Sequence, residues 1–71
     1  MTDPGTYTLT DIGSVLDETG QAVGRIESES LGFFQAWAIS RATFPEAVFL
    51  GRHLTQAAAL AAIVGVDRWQ R

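Results

Sequence analysis

The sequence predicts an α+β domain: a four-stranded antiparallel sheet, with three strands as the minimum, and one C-terminal helix packed on one of its faces. Between residues 7 and 52, runs rich in β-branched and aromatic residues are separated by short turn segments. From residue 56, an uninterrupted alanine-rich stretch is typical of a helix. Short connections between the strands favour antiparallel pairing. We therefore expect a flexible tail over residues 1–6 and a single β-β-β-β-α domain over residues 7–71.

The first two strands are predicted from alternation and turn residues. Residues 7–16 alternate apolar and polar side chains, with a bulge or bend expected at Gly13 and Ser14. Residues 17–21 are predicted to form a hairpin loop in which Gly20 adopts a positive φ. The second strand is predicted from Ala22 to about Glu29, where alternation directs Ile26 into the core.

The third strand, Phe33–Arg41, is the strongest in the chain, and neither of its sides is clearly polar. Pro45 lies in the connection over residues 42–45, because proline cannot donate a ladder hydrogen bond in a central strand. The fourth strand, Glu46–Arg52, is short. Period-2 alternation places Val48 and Leu50 on one of its sides and Ala47 and Phe49 on the other.

The helix is predicted to begin after Thr55, a good N-cap residue, and to run from Gln56 to about Val66. Residues 67–71 either extend it or fold back. No polar stripe interrupts residues 57–66, although a surface helix normally carries one. Either alanine simply tolerates exposure, which we favour, or both sides of the helix are covered.

Chain length and composition favour association with another protein. The 71 residues can bury only about 60% of the surface that the unfolded chain exposes, so such domains usually need disulfides, a metal or oligomerisation. Cysteine is absent and histidine occurs once, which excludes disulfides and disfavours a zinc site. Charged residues make up 18% of the chain, below the roughly 25% of typical domains. This composition also fits an ordinary small domain with a generous core, but a homodimer or a protein partner is the leading expectation.

The net charge disfavours nucleic acid as a partner, and the absence of a membrane-span or signal-peptide pattern disfavours a membrane. The net charge is −3, whereas a sequence-independent nucleic-acid binder is usually basic. No apolar run reaches the length of a membrane span, and the N-terminal residues do not read as a signal peptide. With cysteine absent as well, we expect a cytoplasmic protein without a membrane partner.

The sequence contains no recognisable catalytic pattern. The serines lack a G-x-S-x-G setting, and His53 follows Arg52 at a strand end, where a surface role is expected. Glu27 and Glu29 are better explained as an exposed acidic edge than as a catalytic carboxylate pair. We therefore expect a non-enzymatic protein with no cofactor, no metal ion and no small-molecule substrate.

Aromatic residues mark the candidate binding surface. Small Ala36 and Ala38 favour packing of the helix on the Phe34 side of the sheet, which exposes the Trp37 side as an apolar patch. The reverse arrangement would leave the weaker Phe34 side exposed. The predicted protein-binding residues are Phe33, Gln35, Trp37, Ile39 and Phe49 on the sheet and Ala57, Ala61 and Val64 on the helix.

Two segments, Phe34–Ile39 and Ala47–Ala61, carry a resemblance to known domains. They resemble the three-stranded sheet plus helix of integrase arm-binding domains and plant ethylene-response-type DNA-binding domains. The hairpin over residues 15–26 is also similar to small actinobacterial and phage domains of this shape, and to the opening of PRC-barrel domains.

The DNA-binding resemblance implies that the sheet face opposite the helix reads a DNA groove. Trp37 matches the family's contact positions on that face, and Arg41 lies at its margin. Ile39, Ala47 and Phe49 depart from the family, as does the helix, whose outer side is often acidic in the family and apolar here.

The sequence therefore supports two functional hypotheses. The first is a protein-interaction module, acting as a homodimer, small subunit, adaptor or inhibitor. The alternative is a DNA-binding domain that lays the sheet in a groove and uses Arg25, Arg41 and Arg52.

Overall fold

The computed structural model describes residues 7–41 and 46–70, and these residues form one antiparallel sheet and one helix. Within them the strands follow one another across the sheet in chain order. The elements are β1 (Thr8–Leu9), β2 (Ser14–Leu16), β3 (Ala22–Ser28), β4 (Phe34–Ile39), β5 (Ala47–His53) and α1 (Gln56–Gln70). The α+β prediction is confirmed. The predicted tail over residues 1–6 and the connection over residues 42–45 lie outside the described residues.

The stretch predicted as a single bent strand forms two strands, β1 and β2. The Gly13 amide donates to the Thr10 carbonyl at 3.0 Å, and the Thr10 amide donates to the Ser14 carbonyl at 2.8 Å, which closes a tight hairpin. Gly13 has a φ of +86°, which is unfavourable for residues with a side chain. A Cβ at this position would also collide with the carbonyl oxygen of Ile26. The glycine therefore converts the expected bend into a complete reversal of the chain.

The helix packs on the sheet face that carries Ala36 and Ala38, and both alanines are buried there. Gly24 on β3 makes the approach closer still, because a Cβ there would collide with the side chain of Ile63. Ile26 lies in this core, as its place in the alternation predicts. The buried residues that pack together in one cluster are Tyr7, Val15, Val23, Ile26, Ala36, Ala59 and Ile63.

The helix begins after the predicted N-cap and continues beyond the predicted end. The Thr55 hydroxyl accepts a hydrogen bond from the Ala58 amide at 3.1 Å. Ala59, Ile63 and Asp67 are the buried helical residues, spaced four apart, so they lie on one side of the helix. Asp67 therefore continues the buried side, and residues 67–70 extend the helix. Among the described residues, no helix is both long enough and apolar enough to cross a membrane.

Candidate protein-docking face

The face of the sheet opposite the helix, here called the outer face, is assembled by cross-strand pairing. Arg25 of β3 pairs with Trp37 of β4, which pairs in turn with Phe49 of β5. Side chains that are directly opposite on neighbouring strands share a face. The same pairing places Ile39 beside Ala47. Residues separated by up to 24 positions in the chain thus form one continuous surface.

An aromatic pair forms the centre of this surface. The ring centroids of Trp37 and Phe49 are 4.8 Å apart with the planes tilted by 52°, within the range of favourable aromatic contacts. Phe49 remains 47% exposed, and Trp37 is half-buried. Together with Ile39 and Ala47 the two rings form the aromatic patch. Arg25, Glu27 and three members of the patch line a shallow depression of about 350 Å³.

Ion pairs border the aromatic patch. The Arg52 guanidinium donates to both carboxylate oxygens of Glu29, at 2.8 and 2.9 Å, and lies 4.4 Å from the centroid of the Phe33 ring. The hydrogen bond from Arg52 lowers the pKa of Glu29 below its ordinary value. Arg25 pairs with Glu27 at 2.9 Å. The outer face thus combines an apolar centre with border charges of both signs.

Arg52 reaches this face because β5 contains a bulge. Phe49 pairs with Trp37, but Arg52 pairs with Gln35, so two residues of β5 lie opposite one residue of β4. Simple alternation from Phe49 would place Arg52 on the helix side. Gly51 accommodates the extra residue with a φ of +99°. A glycine inside an apolar strand is the sequence signal that could have revealed the bulge.

The third predicted nucleic-acid-binding arginine, Arg41, lies in a different environment. Its Nε donates to Asp67 Oδ1 at 2.6 Å, and its Nη2 donates to Asp67 Oδ2 at 2.9 Å and to Asp17 Oδ2 at 2.7 Å. The Tyr7 hydroxyl donates to Asp67 Oδ2 at 2.7 Å. These four residues, the ionic cluster, link the start of the sheet to the end of the helix. Sequence reasoning identified neither the role of Asp67 nor that of Tyr7.

Electrostatics stabilise the charged forms in the ionic cluster. Hydrogen bonds, first from the Thr19 hydroxyl and then from Arg41, hold the pKa of Asp17 well below its ordinary value. Asp67 and then Asp17 raise the pKa of Arg41 above its already high ordinary value. Asp17 is therefore ionised at neutral pH, and it is bound to Arg41 and Thr19. Such a cluster suits structural linkage better than proton transfer, which needs a pKa near the working pH.

The predicted helix-face residues do not share one environment. Ala57 and Ala61 are exposed, whereas Val64 is half-buried and packs against the core. Trp69, which was not among the predicted binding residues, is 88% exposed near the end of the helix. His53, at the end of β5, has a buried Nε2 without a hydrogen-bond partner. Within residues 7–41 and 46–70, no three His, Cys, Asp or Glu side chains are grouped to hold a metal ion.

Comparison with known proteins adds no relative, since no protein-family profile, curated protein or solved structure matches this chain.

Proposed function

We propose that the protein is a non-enzymatic protein-interaction module that binds a partner protein through the aromatic patch. The observation that carries this proposal is the Trp37–Phe49 pair, which lies on the outer face, away from the packed helix. Contiguous exposed apolar surface of this kind often marks an interaction site. Tryptophan is among the residues that contribute most to the binding energy of interfaces.

The border charges support a protein partner over a polyanion. Arg25 and Arg52 each form an ion pair with a neighbouring glutamate, so positive charge on this face is matched locally by negative charge. Protein interfaces commonly surround an apolar centre with a polar rim of this type. DNA binding instead needs cations that neutralise phosphates, and Arg41 is engaged with two aspartates. The expected partner presents an aromatic or aliphatic anchor flanked by mixed charge.

A displayed library of random peptides, selected against the immobilised protein, tests this proposal. We expect the selected peptides to carry an apolar anchor. Their binding to the ¹⁵N-labelled protein should shift the amide resonances of Trp37 and Ile39. Because Phe49 is about half exposed, Phe49→Ser should leave the fold intact, which a thermal melt checks. It should weaken peptide binding by about tenfold or more.

The matched control is Trp69→Ser, which removes another exposed aromatic side chain from a different surface. We expect peptide affinity to be unchanged in this variant. Failure to select any peptide would count against the proposal. Binding that depends on Trp69 and not on Phe49 would assign the docking site to the helix. Salt-sensitive binding of duplex DNA to the outer face would instead support the nucleic-acid alternative.

A further inference from the structure

The free edge of β5 offers unpaired backbone groups. Among the described residues, β5 pairs with β4 on one side and with no strand on the other. The Ser40 amide donates to the Glu46 carbonyl at 3.0 Å, so Glu46 directs its backbone groups toward the preceding strand. In an antiparallel ladder this direction alternates along the strand. Val48 therefore bonds toward β4, and the N–H and C=O groups of Ala47 and Phe49 point outward.

This edge lacks the usual protection against strand pairing. Residues 47–50 carry no charge and no proline, which are common edge-protecting features. Val48 is 51% exposed on the helix side of the sheet, and Phe49 is 47% exposed on the outer face. The edge is thus apolar and accessible on both faces. The bulge at Gly51 interrupts the strand only after this regular segment.

We infer that β5 pairs antiparallel with β5 of a second copy of this chain, about a two-fold axis at Val48. In this register each Ala47 lies opposite the partner's Phe49, so the outward N–H and C=O groups of these two residues satisfy one another in four hydrogen bonds. The two copies of Val48 form the close, non-hydrogen-bonded pair at the axis.

Side-chain size makes the edge complementary to itself. In this register a large Phe49 of one copy lies beside a small Ala47 of the other on the outer face, and the two-fold axis repeats this contact. The same register satisfies the outward backbone groups of both copies. This match favours a second copy over an unrelated extended peptide.

Such a dimer would have a continuous sheet and would bring the two aromatic patches next to each other. The inference goes beyond the docking proposal and does not depend on it, because the edge groups belong to the backbone. A variant that no longer self-associates can still bind peptides through the outer face, and peptide binding is measured separately. The two can therefore fail independently.

Sedimentation equilibrium over a concentration series tests for the dimer. We expect wild-type protein to dimerise and Ala47→Pro to be monomeric, since proline removes an outward N–H at the first residue of the strand without disturbing a bond to β4. Val48→Lys should also weaken dimerisation by about tenfold or more, because it places a charge at the axis. Gln56→Pro is the control, as the first helical position tolerates proline, and it should dimerise like wild type.

Single-cysteine variants test the register, since the chain has no cysteine of its own. Val48→Cys should form a disulfide-linked dimer on mild oxidation, because directly opposite non-hydrogen-bonded residues have Cα atoms about 4.5 Å apart. Phe49→Cys should not, since its two copies are diagonal neighbours about 7 to 8 Å apart. A monomeric wild type, or a dimer unaffected by Ala47→Pro and Val48→Lys, would overturn the inference. Cross-linking of Phe49→Cys and not of Val48→Cys would overturn the register.

Discussion

At the residue scale, Asp67 has the most demanding environment among the described residues. Its side chain is 1% exposed, and it is bound to Arg41 and Tyr7. A buried charge is tolerated when it is paired and hydrogen-bonded, and removal of a partner leaves the remaining groups uncompensated. The aspartate thus links the end of α1 to the sheet.

We expect Asp67→Asn to lower the free energy of unfolding by about 2 kcal/mol, since it weakens hydrogen bonds to a charged group while Arg41 keeps Asp17. Urea unfolding monitored by tryptophan fluorescence measures the change. The control is Asp11→Asn, an exposed aspartate, for which we expect a change within about 0.5 kcal/mol. Equal effects of the two substitutions would show that the Asp67 carboxylate contributes no more to stability than an exposed aspartate does.

At the scale of elements, two glycines have different roles: one is required by the packing of the helix on the sheet, and the other only lowers the helix propensity of α1. Gly24 lies on β3 beneath the helix, where an added Cβ would meet the side chain of Ile63 and the backbone of Trp37. Gly65 lies on the exposed side of α1, with nothing within 4 Å of an added Cβ. The first glycine sets how closely the helix approaches the sheet, and the second only weakens the helix.

Alanine substitutions at these glycines should therefore act in opposite directions. Gly65→Ala should raise the free energy of unfolding by about 0.8 to 1 kcal/mol, the difference in helix propensity. Gly24→Ala should lower it by about 1 to 3 kcal/mol through overpacking. Thermal melts of both variants measure the two effects. A destabilising Gly65→Ala would mean that the outer side of the helix is covered in solution.

Some features of the strands and the helix were predicted from sequence patterns, and others were not. Alternation and capping signals predicted the α+β class and the Thr55 N-cap. Small side chains predicted that the helix packs on the side of the third strand that carries Ala36 and Ala38. They did not predict the β5 bulge, because the geometry of Gly51 depends on its pairing with β4. Similarly, the helix continues past Val66 because Asp67 finds partners in the sheet, which no local pattern reveals.

At the scale of the whole molecule, low pH lowers the stability of the fold by protonating carboxylates that are hydrogen-bonded in the folded state. Asp17 and Glu29 both have pKa values lowered by folding, through Thr19 and Arg41 in one case and Arg52 in the other. Each carboxylate therefore stabilises the fold fully above its ordinary pKa, 3.8 for Asp17 and 4.5 for Glu29. This contribution is lost as the pH falls through the folded-state value.

We expect the urea midpoint to be nearly constant above about pH 6 and to fall between about pH 5 and pH 2. Thr19→Val should flatten this decline, because the Thr19 hydroxyl contributes most to lowering the pKa of Asp17. Thr19→Ser keeps a hydroxyl and should preserve the wild-type profile. A decline that is the same in all three proteins would show that the Thr19 hydroxyl does not contribute to it.

The sequence by itself determined the class of fold, the absence of thiol chemistry and the presence of more large apolar residues than one helix can cover. These properties depend on local alternation and composition, which are readable along the chain. Tertiary structure decided which of the predicted residues lie together. It placed Arg52 on the outer face through a bulge and joined Arg41 to Asp17 and Asp67, 24 and 26 residues away. Such pairings depend on strand register and on burial, and neither is fixed until the helix and the sheet have packed together.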